Sequence, residues 1–166
     1  MNALLESLTK FLTEQGWKVE MQENNQIPAE IAQRYDSLPT DYRYFLQNMK
    51  ACVNSAETVW MLCPDDFAPQ GENGFAWNEF EKMSLDAAEG DNSWTAEIKS
   101  FWNEHLPICL SLKNGYSYYA LCLKDGTIVT GEEPEFEETT EVAPSFRDFL
   151  QMLCKGELDL EEGVQP

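Results

Sequence analysis

The clearest alternation of apolar and polar positions lies between Leu106 and Gly131. Ile108, Leu110 and Leu112 alternate with Cys109, Ser111 and Lys113, which predicts a strand with one buried face. Lys113-Asn114-Gly115 follows, and Asn-Gly accepts positive φ at both positions, so a tight turn is expected there. Tyr116 to Leu123 is apolar on both sides, the pattern of a central strand covered above and below. Lys124-Asp125-Gly126 predicts a second turn, and Thr127 to Thr130 a third strand that Gly131 ends. The spacing thus predicts a three-stranded meander over 106–131.

Helical spacing surrounds this meander. Leu4, Leu5, Leu8, Phe11 and Leu12 form one apolar stripe over residues 4–15, with Gly16 as its stop. Trp17 to Met21 alternates like a short strand, Gln22 to Gln26 is turn-rich, and Pro28 opens a helix carrying Ile31 and Tyr35. Tyr42, Phe45, Leu46 and Met49 recur at i, i+3, i+4, i+7 after Pro39, with Asp41 in the first turn. Thr58 to Cys63 is β-prone, and Asp65-Asp66 with Ala68 to Gly74 reads as a loop. Trp77 to Met83 fits a helical turn or two. Trp94, Ile98, Phe101, Trp102 and His105 share a helical stripe that ends before Leu106-Pro107. Glu132 to Glu141 reads as an acidic loop, Ser145 as the cap of a helix burying Phe146, Phe149, Leu150 and Leu153, and 156–166 as a mobile acidic tail. The order of elements predicts an α+β fold: a central, mostly antiparallel sheet flanked by helices, in a single domain over 1–155.

Composition narrows the function. The 166 residues carry 30 acidic and 11 basic side chains, a net charge of −19. Such a field disfavours nucleic acid and anionic membranes, and favours a basic protein partner. No run approaches the roughly 20 apolar residues of a membrane helix, and the start of the chain lacks the basic residues of a signal peptide. A cytoplasmic protein is expected. The five cysteines, Cys52, Cys63, Cys109, Cys122 and Cys154, include no C-x-x-C pair, so reduced buried thiols are expected.

Catalytic chemistry finds few candidates. His105 is the only histidine, placed at a helix end. No phosphate-binding glycine motif occurs, and the acids show no calcium-loop spacing. An enzyme working through two facing carboxylates is the remaining catalytic alternative. No cofactor and no metal are expected. The acids point elsewhere: Glu132, Glu133, Glu135, Glu137 and Glu138 bracket Phe136 in a short segment stiffened by Pro134. Two readings suit that segment, a solvated loop with Phe136 in the core or a docking surface with Phe136 as anchor. Asp65 and Asp66 are secondary candidates for partner binding.

Three segments resemble the SUKH superfamily, the domain shared by fungal cell-wall assembly regulators and many bacterial immunity proteins. Leu38-Pro39-Thr40-Asp41-Tyr42-Arg43-Tyr44-Phe45-Leu46 looks like the family's LPxDYxxFL helix. Pro107-Ile108, then Gly115, Tyr118-Tyr119-Ala120-Leu121, Leu123, Asp125-Gly126 and Ile128-Val129, is similar to its aromatic hairpin. Val142-Ala143-Pro144-Ser145-Phe146-Arg147-Asp148-Phe149-Leu150 is similar to its closing helix. The three span about 27–153. The chain departs from the family at Asn48-Met49-Lys50, where Asn-Gly-Gly is common, and in a long segment from Asp65 to Ser93. The resemblance implies an α+β fold and no enzymatic activity. It implies an immunity protein that binds and neutralises a cognate toxin, often a nuclease; the alternative it offers is a regulatory or scaffolding interaction domain.

Overall fold

The computed structural model describes residues 1–71 and 74–162. The chain runs α1 (Asn2–Glu14), β1 (Lys18–Met21), α2 (Ala29–Arg34), α3 (Thr40–Asn48), β2 (Met49–Val53) and β3 (Val59–Met61). A 3-10 turn (Pro64–Phe67) leads to α4 (Glu79–Ala87) and α5 (Asn92–Glu104). Then come β4 (His105–Ser111), β5 (Ser117–Cys122), β6 (Ile128–Glu132), β7 (Thr140–Ala143) and α6 (Phe146–Cys154). The seven strands form one sheet in the order β1 to β7, every neighbouring pair antiparallel. The fold is α+β.

Alternation along β5 sends Tyr118 and Tyr119 to opposite faces, and both are buried. Tyr119 meets Phe149 of α6 at 5.2 Å, while Tyr118 meets Trp102 of α5 at 5.1 Å and Phe80 of α4 at 6.0 Å. Helices therefore cover both faces. On the Tyr119 side, α6 packs against α1 and α3. On the Tyr118 side, α4 packs against α5. Arg34 of α2 reaches this second layer, forming a bidentate pair with Glu81 of α4 at 2.7 and 2.8 Å.

Two-sided cover corrects the expectation for β4. Cys109 and Ser111 were expected on a solvated face, but they are 1% and 7% exposed. The meander has its three strands and its Asn-Gly turn, with Asn114 and Gly115 at φ of 59° and 95°, but Gly131 does not end the third strand: β6 continues through it to Glu132. Two strands were not expected. In β2 the small residues Ala51 and Cys52 hide any alternation. The sequence of β7, Thr-Glu-Val-Ala, reads as loop because an edge strand keeps polar side chains in water. The acidic loop therefore shrinks to 133–139.

The three motif segments meet in space. Pro39 precedes α3, whose Tyr42 and Phe45 pack edge-to-face on Phe146 of α6 at 5.1 and 5.4 Å. Arg147 of α6 donates from Nε and Nη2 to the two carboxylate oxygens of Asp41, at 3.0 and 3.2 Å. After α3 no glycine is required, because Asn48 runs straight into β2. Asn25 Nδ2 donates to the carbonyls of Leu46 and Met49, and the Asn25 and Gln22 backbones donate to those of Gln47 and Asn48. The turn-rich segment after β1 thus satisfies the end of the helix.

Ser145 caps α6 as expected: its Oγ accepts from the Asp148 N–H at 3.1 Å. Ser145→Ala is expected to cost about 1 kcal/mol of stability. Urea denaturation should show it as a lower midpoint with an unchanged slope.

The chain after α6 differs from the expected mobile tail. Leu158 and Leu160 are 7% and 4% exposed and belong to the core. Glu161 accepts from the Asn54 side chain at 2.7 Å. Two apolar residues alternating with acids lie down on the sheet instead of extending into solvent. Residues 163–166 of that expected tail lie outside the described residues.

Candidate functional site

The acidic loop owes its shape to residues that point inward. Phe136 is buried and stacks on Phe80 at 4.5 Å, with ring planes 12° apart. Its carbonyl accepts from the Tyr118 hydroxyl. Glu137 Oε2 accepts from Ser84 Oγ at 2.8 Å and from Trp102 Nε1 at 3.0 Å. Glu133 Oε1 accepts from the Tyr116 N–H at 3.2 Å, and the Glu133 N–H returns a bond to the Tyr116 carbonyl at 2.9 Å. Of the two readings of Phe136, the core position is the observed one. An exposed anchor is ruled out by its 2% exposure.

With the loop fixed, Glu132, Glu133, Glu135 and Glu138 stand along one wall of a concavity of about 800 Å³. The residues after α6 form the opposite wall, with Leu160, Glu161 and Glu162. The floor is the polar end of the sheet. Register places Ser111 beside Ser117, Ser117 beside Glu132, and Tyr119 beside Thr130. Six carboxylates face the space and one amine, Lys113, stands 3.8 Å from Glu162. The Tyr119 hydroxyl is buried and has no hydrogen-bond partner among the described residues. Burial pushes its pKa up, so it stays protonated.

Not all the acids named from sequence gather here. Glu137 is half-buried and holds the loop against α4 and α5, so its Oε2 is already engaged. Asp65 and Asp66 belong to the 3-10 turn and do not line this concavity. Asp65 is exposed, whereas the Asp66 carboxylate accepts from the Cys63 N–H at 2.8 Å. Burial pushes the Asp66 carboxyl up, and that backbone bond opposes the shift. Glu161, Glu162 and Tyr119 were not singled out from the sequence. The Leu158-Asp159-Leu160-Glu161 alternation was a signal that could have placed the first two.

The groups considered for catalysis occupy structural positions. His105 stacks on Phe101 at 3.9 Å, and its Nδ1 lies 2.8 Å from the Phe101 carbonyl oxygen. The five cysteines are free, with Cys52, Cys63, Cys109 and Cys122 buried. Burial pushes the Cys52 thiol up to about 12 and the Cys63 and Cys109 thiols up as well, which holds them protonated and poorly nucleophilic. Among the described residues no three His, Cys, Asp or Glu side chains converge to hold a metal ion. Among them, too, no helix is long and apolar enough to cross a membrane.

Comparison with known proteins gives one match. The model of the SMI1 / KNR4 family (SUKH-1) matches residues 25–152. No curated protein and no solved structure matches the chain.

Proposed function

The chain belongs to the SMI1 / KNR4 family (SUKH-1), and from that membership and its acidic groove we propose a non-enzymatic binding domain. In this reading it is a cytoplasmic immunity protein that captures a basic cognate toxin, such as a nuclease, and blocks the toxin's active site. The observation that carries the reading is the groove. Six carboxylates stand around one concavity, Glu132 at the end of β6 and three more on the following loop, which is locked by buried contacts. A rigid acidic surface steers a basic partner and meets it without first losing side-chain order. A nuclease site built for phosphate charge is the kind of surface that carboxylates can cover.

The test uses the product of the adjacent reading frame as the toxin. Co-expression with the wild-type chain should restore growth. The triple variant Glu132→Lys, Glu135→Lys, Glu138→Lys should fail to do so. Its affinity should fall at least about tenfold, and the salt dependence of binding should flatten. An unchanged Kd with an unchanged salt dependence would overturn the site assignment. Tight binding to a partner without toxicity would instead place the chain with the regulatory, scaffolding members.

A further inference from the structure

We propose that residues 158–162 form a charge-gated strap, held on the sheet by the side chain of Asn54 and pushed off it by the groove's own acids as ionic strength falls. The device belongs to the chain alone and does not rest on the binding reading above.

The strap starts where α6 is already closed. Gly156, at φ 72°, and Glu157 donate their N–H groups to the carbonyls of Leu153 and Met152, at 3.1 and 2.9 Å. Those bonds complete the helix end, so residues 158–162 can leave the sheet without unwinding α6.

The contacts that hold the strap down centre on one catch. Leu158 and Leu160 are buried, and Asp159 makes an isolated β-bridge. Glu162 meets Lys113 at 3.8 Å between exposed groups, which contributes little. Asn54 does more. It is 2% exposed, and its Oδ1 accepts from the Thr58 and Val59 N–H groups at 2.8 and 3.0 Å, which fixes the direction of the amide. Its Nδ2 then donates to Thr58 Oγ1 at 2.9 Å and to Glu161 at 2.7 Å. A neutral donor on a turn, aimed at a carboxylate distant in sequence, ties the strap to the sheet.

The force against that catch comes from across the groove. Glu161 and Glu162 share one concavity of about 800 Å³ with Glu132, Glu133, Glu135 and Glu138, and Lys113 is the one cation among its lining residues. A space of that size has an edge comparable with the screening length at physiological salt, about 8 Å. The two walls therefore repel at low salt and largely cease to do so at high salt. The loop wall cannot yield, because Phe136 and Glu137 fix it from beneath. The repulsion falls on the strap. On the binding reading, a basic partner entering the groove does what salt does and draws the strap down on itself.

Methyl resonances of Leu158 and Leu160 in the full chain report docking, and their relaxation dispersion gives the undocked population. That population should rise about fivefold as NaCl falls from about 300 to about 20 mM, while the core methyls of Leu121 and Leu150 stay unchanged. Glu132→Gln, Glu135→Gln and Glu138→Gln together should remove the salt dependence, a change that a merely structural tail would not show. Asn54→Asp keeps the oxygen that Thr58 and Val59 bond and turns a second oxygen towards Glu161. It should raise the undocked population about tenfold at both salt levels. Adding Glu161→Gln should reverse that rise, because the new amide donates where Asn54 did. A salt-independent population, no detectable exchange at about 20 mM NaCl, or an Asn54→Asp variant that behaves as wild type would overturn the inference. No partner takes part in these measurements, so such a result leaves the proposed function to its own test.

Discussion

Phe80→Ala is expected to remove about 3–5 kcal/mol of stability and to lower the melting temperature by roughly 10 °C. Phe80 is 2% exposed and sits at the centre of an aromatic layer. Its ring meets Phe136 at 4.5 Å, Phe75 at 5.5 Å, Tyr116 at 5.8 Å and Tyr118 at 6.0 Å. Truncation leaves a void beneath the acidic loop that rigid neighbours fill only in part. The variant should therefore also bind its partner more weakly, because Phe136 loses the surface that seats it. Denaturant melts measure the first effect and calorimetry with the partner the second. A loss below about 1 kcal/mol would mean that the layer closes over the gap, and the loop would then owe its position to Glu137.

Gly131→Ala is expected to cost about 3 kcal/mol, for lack of space and not for backbone strain. A Cβ at this position of β6 would lie 2.6 Å from Tyr118 Oη and 2.8 Å from the Phe136 carbonyl oxygen. Both residues are buried, so neither atom can retreat into solvent. The methyl group would separate the hydroxyl from the carbonyl it bonds. Tyr118→Phe removes the atom of closest approach. The double variant Tyr118→Phe, Gly131→Ala should consequently lose less than the sum of the single losses, by more than about 0.5 kcal/mol. Additive losses would place the clash elsewhere.

Periodicity found the meander, the capped last helix and the stripe of α3 because each has one strong repeat, but not every stop: Met49, expected on the α3 stripe, begins β2, and β6 runs on through Gly131. Asn114-Gly115 and Ser145 act locally, and local chemistry is legible in a single sequence. The missing strands fail for a different reason. β2 and β7 are strands only because β1, β3 and β6 offer them partners, and their own residues alternate poorly. At the site, composition located the loop acids but not their directions. Glu137 turns inward because Trp102 and Ser84, distant in sequence, supply donors there. Tyr119 looked like any core aromatic, since an unpaired hydroxyl becomes visible only when its neighbours are known.

The strand order β1 to β7 has a bearing on biosynthesis. Each strand bonds only to its predecessor and successor in the chain, so the sheet can be extended edgewise as the polypeptide leaves the ribosome, without waiting to insert a later strand between earlier ones. Two parts cannot be finished early. The apolar stripe of α1 waits for α6 to cover it, and the groove lacks its second wall until Leu160 to Glu162 emerge. A nascent chain therefore has a folded sheet before it has a complete surface to offer, which delays capture of a partner until residues 160–162 have left the ribosome.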